Sequence, residues 1–316
     1  MSSRDQGPVI SFVGGIWVDH HFNIKSSYKQ LAEDVYKAKV ESADFSNQSE
    51  QVREKVNLWA SKETKGLIVD LLPSGFFSSD TILALANALY FKGTWLHNFD
   101  ASATRNKDFH LLNGEKSIKA PFMTSYYYAE HYYGSFDGFK ILKIPYKTGA
   151  NNNNNHHHYS MYIFLPHKID GLTELIHKFN TDSSFLRKNW DLQRQELDEL
   201  WIPKFKFSYD LNALEIMQEL GLNLLFERNR EVSEVVDDYS DVFVSKAVHK
   251  ARVEVNEEGT VAAAASLMSD DCGCAGPMYP PPPSFVADHP FMFIIKEDIS
   301  GIVLFNGAVF NPLSDV

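Results

Sequence analysis

Apolar blocks of strand length recur along this chain, and no regular strand–helix–strand rhythm spaces them. In residues 81–95, TILALANALYFKGTW, helical and strand periodicities compete. The turn-rich PSGFFSSD before the block and Gly93 within it favour a buried strand. FKILKIPY alternates through Phe139 and Ile141 towards Ile144, and YSMYIFLP is an apolar run closed by Pro166; together they predict a hairpin. Near the end, SFVADHPFMFIIK and GIVLFNGAVFNP each predict a strand. Two segments carry helical spacing instead. QVREKVNLWASKETKGLI sets Val52, Val56 and Trp59 at i, i+4 and i+7. SYDLNALEIMQELGLNLLF has Leu211, Leu214, Met217 and Leu220 as its apolar positions and a stop at Gly221. Interleaved strands and helices of this kind predict an α+β fold. Neither an internal repeat nor a long linker divides the chain, so one domain over residues 1–316 is expected.

A chain of 316 residues, 44% of them apolar, can build a large core; at this size roughly 75% of the unfolded surface is buried. The net charge of -11 argues against a nucleic-acid partner. No apolar run reaches the length of a membrane span. The opening MSSRDQGPVISFVGG lacks the basic start and apolar core of a secretory signal. Cys272 and Cys274 are separated by one residue and cannot staple distant segments, so the fold is expected to stand without disulfides, and a reducing compartment would suit it.

Catalytic signatures are missing. G-x-S-x-G, H-E-x-x-H and G-x-x-x-x-G-K-[ST] do not occur, and the scattered histidines fit no Cys/His zinc spacing. His156, His157 and His158 follow five asparagines in what reads as a solvated loop tip; adjacent imidazoles there have no framework to converge on a metal. Cys272 and Cys274 are two thiols without further ligands, which seldom make a specific metal or redox site. The expectation is a protein that is not an enzyme and uses no metal or cofactor.

One stretch fits none of the blocks. Residues 256–283 read NEEGTVAAAASLMSDDCGCAGPMYPPPP, small and polar, then stiff with proline, between two apolar blocks. If extended, Thr260, Ala262, Ala264 and Ser266 share one uniformly small face, with Val261, Ala263 and Ala265 opposite. Such a face can enter a packed sheet without overpacking it. Alanine, however, is a good helix former and a poor strand former. On its residues alone the segment reads more readily as an Ala-rich helix ending in a Pro-rich surface loop.

VHKARVEVNEEGTVAAAAS followed by FVADHPFMFIIKEDISGIVLFNGAVFNP resembles the hinge, reactive-centre loop and last strands of the serpin family. NLWASKETKGLIVDLL, ALANALYFKGTW, YSMYIFLP and LWIPKFKF match in the family's order, so the resemblance covers about residues 10–312. The FVADHPF wording and the Cys-Gly-Cys loop look most like plant serpins. The resemblance implies a large mixed sheet with two smaller sheets and flanking helices. It implies an inhibitor whose loop, residues 256–284, is bait for a protease. The acyl-enzyme forms at the bait bond, and the loop then inserts as a new central strand and drags the protease along. Glu257, Glu258 and Gly259 begin the hinge, which continues through Thr260, Val261, Ala262, Ala263, Ala264, Ala265 and Ser266. Counting from Glu257 as inhibitory members do places the scissile bond between Gly273 and Cys274, with Asp271 and Cys272 as further protease contacts. No Lys or Arg occurs in residues 253–295, which disfavours a trypsin-like target. A papain-like cysteine protease is the alternative target, since acyl-enzyme chemistry is shared. Asn87 and His249 match a pair beneath the opening of the large sheet, and Trp95 matches an aromatic at the top of the insertion path.

The chain departs from the family pattern in three places. It begins near a strand of the large sheet, so the family's first helices are expected to be missing, leaving apolar surface uncovered. Val261 stands where inhibitory plant members usually carry an acid, and it faces outward by alternation. The Asn/His run is an insertion at a hairpin tip. A monomer is expected, with loop–sheet association as its route to self-association. The resemblance points to the extracellular space and the opening residues to the cytoplasm. Two rival readings are a non-inhibitory serpin-fold binding protein and a redox- or metal-responsive protein using Cys272 and Cys274.

Overall fold

The computed structural model describes residues 7–112, 116–125, 129–149, 157–182, 184–228, 232, 234–237, 242–259 and 281–314. In chain order its elements are β1 (Val9–Asp19), α1 (Ser26–Asp34), β2 (Lys39–Ala43), α2 (Phe45–Glu63), β3 (Leu83–Lys92), β4 (Arg105–His110), β5 (Ser117–Met123), β6 (Glu130–Phe136), β7 (Phe139–Pro145) and β8 (Tyr159–Pro166). There follow α3 (Leu172–Thr181), β9 (Gln193–Glu196), β10 (Leu200–Pro203), β11 (Phe205–Asn212), α4 (Ala213–Glu219), β12 (Val244–Val255), β13 (Phe285–Val286), β14 (Phe291–Glu297) and β15 (Val303–Val309). Three sheets result, with strand orders β11-β12-β3-β1-β2, β13-β10-β5-β4 and β15-β14-β8-β7-β6-β9. This is the α+β architecture that the interleaved blocks predict.

The contacts divide the chain into two compact units. The first takes Ile10–Phe91 and Ser208–Val253. Its core lies between the five-stranded sheet and α2. Val52, Val56 and Ala60, spaced four apart on α2, are buried against Val13 and Trp17 of β1 and Ala84, Ala86 and Ala88 of β3. Asp44 caps the helix by accepting a bond from the Asn47 N–H at 2.9 Å. The helix expected around Val52, Val56 and Trp59 is therefore α2, begun one turn and more earlier by that cap. Phe12 and Leu58 of this unit are exposed.

The second unit takes Met1–Val9, Lys92–Phe207 and Glu254–Asp315. The expected hairpin is β7–β8, paired antiparallel from Phe139↔Pro166 to Pro145↔Ser160. Aromatic rings fill the core beside it: Phe139, Phe164, Phe185 and Trp190 lie within 4.9–6.1 Å of one another.

Two expectations need correction. The helix anticipated over residues 208–226 begins only at Ala213, and Leu211 belongs to β11. Phe205, Phe207 and Tyr209 alternate, and that period of two carries the strand through Asn212. Gly221 does end the helix, at φ +91°, with Leu222 N–H bonded to Met217 O and Gly221 N–H to Gln218 O. Leu220, assigned to the apolar face, is 77% exposed. The second correction concerns SFVADHPFMFIIK. It is not one strand but two, β13 in the four-stranded sheet and β14 in the six-stranded one. Pro290 lacks the N–H that a continuous ladder would need.

Candidate functional site

In the five-stranded sheet, β3 and β12 lie side by side and run parallel, from Leu83↔Val244 to Tyr90↔Arg252. Across this seam Ala84 pairs with Lys246, Leu85 with Ala247, Ala86 with Val248 and Ala88 with Lys250. Asn87 and His249 are paired in register at its middle. The Asn87 side-chain oxygen is buried without a hydrogen-bond partner. Burial lowers the His249 pKa below the ordinary imidazole value. Asn87 thus carries one unused buried acceptor at the middle of the seam.

Strand β12 leads into a tight turn at Asn256–Gly259. Asn256 N–H donates to Gly259 O at 3.0 Å, Gly259 N–H returns to Asn256 O at 3.3 Å, and the Asn256 side chain accepts from Glu258 N–H at 3.1 Å. The turn is tied down on both sides. Trp95 N–H donates to Glu258 O and Phe99 N–H to Glu257 O, both at 2.8 Å. The Trp95 indole N–H reaches Asn256 O at 2.8 Å. Trp95 is fully buried, stacked on Tyr146 at 4.4 Å and edge-on to Phe99.

Glu257 is the polar anchor of the turn. Its carboxylate accepts from Lys204 Nζ at 2.9 and 3.1 Å and from Thr104 Oγ1 at 2.7 Å. Burial pushes its pKa up, but the bonds from Lys204 and Thr104 outweigh this and hold it below the usual carboxylate range. Glu258 moves the other way. Burial and the neighbouring Glu257 charge raise its pKa, with Lys92 opposing, and its Oε2 is buried and unbonded. Gly259 has φ +142°, and a Cβ there would lie 2.1 Å from Gly93 O and 2.7 Å from Thr94 Cα. Only glycine fits this approach.

Of the hinge, Glu257, Glu258 and Gly259 are described; Thr260, Val261, Ala262, Ala263, Ala264, Ala265 and Ser266 lie outside the described residues, as do Asp271, Cys272, Gly273 and Cys274. Sequence reasoning missed the Lys204–Glu257–Thr104 clamp. LWIPKFKF contains Lys204, but nothing in it says which acid the lysine meets. It also missed Asp19, His20 and His21, whose ligand atoms lie within 4.8 Å of one another and which form the only such metal-capable group among the described residues. The signal was there, an Asp-His-His triplet closing an apolar strand.

Residues 1–312 match the family model described as serpin (serine protease inhibitor). Serpin-Z2B of Triticum aestivum is 43% identical over 317 residues, spanning 99% of this chain and 77% of the relative. Serpin-ZX of Arabidopsis thaliana is 42% identical, spanning 98% and 78%. Among solved structures, Arabidopsis AtSerpin1 in its native stressed conformation superposes with a TM-score of 0.85 at 41% identity, covering 99% of this chain and 78% of that one. Uncleaved ovalbumin superposes at 0.81 with 23% identity, covering 98% and 79%, and shows likeness of fold alone.

Proposed function

Because this chain belongs to the serpin family, whose members are protease inhibitors rather than catalysts, we propose that it is a suicide-substrate inhibitor of a serine endopeptidase. Residues 1–316 act as one inhibitory domain, and residues 256–284 are its bait loop. The observation that carries the reading is the β3/β12 seam. Two parallel strands pair directly, and β12 runs straight into the clamped turn from which the loop departs. A segment leaving that turn has only to fold back antiparallel to β12 to lie between the two strands.

The chemistry follows from that geometry. The protease serine oxygen attacks the Gly273 carbonyl carbon. The bond to the Cys274 nitrogen breaks, that nitrogen takes a proton, and an acyl ester remains on the protease. Asp271 and Cys272 make the flanking contacts. The freed hinge then enters the seam, with Thr260, Ala262, Ala264 and Ser266 on the small face that packs inward. Asn87 and His249 part to admit it, and Trp95 stands at the entrance. Each ladder hydrogen bond gained contributes on the order of 0.5–1.5 kcal/mol. About ten inserted residues thus contribute ~5–15 kcal/mol, comparable to the whole stability of an ordinary domain. The absence of Lys and Arg in residues 253–295 directs the loop away from trypsin-like targets. The Cys-Gly-Cys sequence groups it with plant serpins of that loop type.

The test is incubation with a panel of serine and papain-like proteases, read on denaturing gels. A band at the summed mass, with mass spectrometry placing the broken bond after Gly273, is the expected result. Trapping of cysteine proteases alone would reassign the target class. Cleavage with turnover by every protease would overturn the inhibitory reading and leave a serpin-fold binding protein.

A further inference from the structure

We propose that Asp19, His20, His21 and Asp44 form a binding site for a divalent cation of the zinc type. Asp19 closes β1 and the two histidines follow it, while Asp44 caps α2, so the site would tie the end of β1 to the start of the helix that covers it. The His20 Nδ1 lies 3.8 Å from Asp19 Oδ2 and 3.6 Å from Asp44 Oδ1. His21 Nδ1 lies 2.5 Å from Asp19 Oδ1. Ligand atoms around a tetrahedral zinc stand ~3.3 Å apart, given bonds of ~2.0–2.1 Å to nitrogen and oxygen. Three of the contacts thus need shifts of about an ångström or less. The His21 contact would open as its ring, 63% exposed, turns the Nδ1 lone pair to the metal.

The second observation is the state of Asp19. The residue is 4% exposed, and its carboxylate points into the cluster. Among the described residues its only ion-pair partners are His20 and His21, with no Lys or Arg beside it. The two imidazoles are thus the only described side chains that can offer this buried carboxylate positive charge, and a cation held between them would supply it. The backbone N–H groups of Phe45 and His21 hold it at 3.3 and 3.1 Å, the outer support that a metal ligand needs. Asp44 is likewise fixed by the Asn47 N–H at 2.9 Å. Two carboxylates and two imidazoles suit zinc by donor type, and the two negative charges neutralise it.

Other N and S donors in this chain must be silenced before the site is tested. The background variant therefore replaces His156, His157 and His158 by glutamine and Cys272 and Cys274 by serine. Calorimetric titration of the chelator-treated protein with zinc chloride should then find one ion per chain. His20→Gln with His21→Gln should weaken it ~10-fold or more, with the metal-free circular dichroism spectrum unchanged. Asp44→Asn keeps the helix cap and should also weaken binding. Zinc should raise the denaturation midpoint of the background variant and not of the double-histidine variant. Loss of all binding in the background variant, or unchanged affinity in the double-histidine variant, would overturn the proposal.

Discussion

Replacing Gly259 by alanine puts a single methyl into the tightest place on the hinge. The added Cβ would sit 2.1 Å from the Gly93 carbonyl oxygen and 2.9 Å from its carbonyl carbon, so backbone and not a movable side chain blocks it. The φ of +142° adds strain for an L-residue, on the order of 1–3 kcal/mol. Relief of the overlap requires backbone shifts that cost ~1–3 kcal/mol in packed surroundings. The sum, about 2–6 kcal/mol, falls on the intact form alone. In the proposed inserted form the turn is opened and Gly259 leaves the Gly93 carbonyl. Gly259→Ala should therefore lower the urea stability of the intact chain by at least ~2 kcal/mol. It should leave the loop-cleaved chain within ~0.5 kcal/mol of its parent. An intact variant as stable as its parent would refute the reasoning about the clamped turn. Equal losses in both forms would refute the claim that the turn is undone by insertion.

Three further changes test separate parts of the account. Glu257→Gln keeps the shape but removes the charge that Lys204 and Thr104 hold, and should cost ~1.5–3 kcal/mol at pH 7 in urea denaturation. Because the folded Glu257 pKa is depressed, that difference is present above the ordinary glutamate pKa and should vanish as pH falls through the folded value. Burial, with a smaller contribution from His97, lowers the His131 pKa to about 4. The unfolded chain takes up that proton below pH ~6.5, so stability should fall between pH 6.5 and 4 by at most ~3 kcal/mol from this group. His131→Gln should flatten that part of the curve, and an unchanged slope would contradict the assignment. Asn87→Ala removes a buried oxygen that has no partner, so it should cost under ~1 kcal/mol; a loss above ~2 kcal/mol would show that the oxygen is bonded in solution.

The strands were legible where apolar residues ran in unbroken blocks. YSMYIFLP and FKILKIPY became β8 and β7 in register, and TILALANALYFKGTW became β3 because its neighbours carry turn residues. The boundary at Ala213 was not legible, because Leu211 fits both a helical spacing and the alternation of β11. The division of β13 from β14 was written in Pro290, yet local sequence does not say that the two halves join different sheets. Asn87 and His249 are far apart in the chain and were linked only through a family resemblance; in the structure they are register partners on β3 and β12. The partner of Glu257 was beyond local reading altogether. Lys204 lies 53 positions away and Thr104 lies 153, and such pairings arise only once the strands between them are placed.

Under the proposed mechanism the β3/β12 seam accepts the loop once it is cut. The most direct measurement is the denaturation midpoint before and after a single nick in residues 260–280, with both fragments retained. The account predicts that the nicked chain is more stable by ~5 kcal/mol or more, from the ladder bonds gained. A midpoint that stays in place or falls on nicking would contradict it, because the seam would then have remained closed.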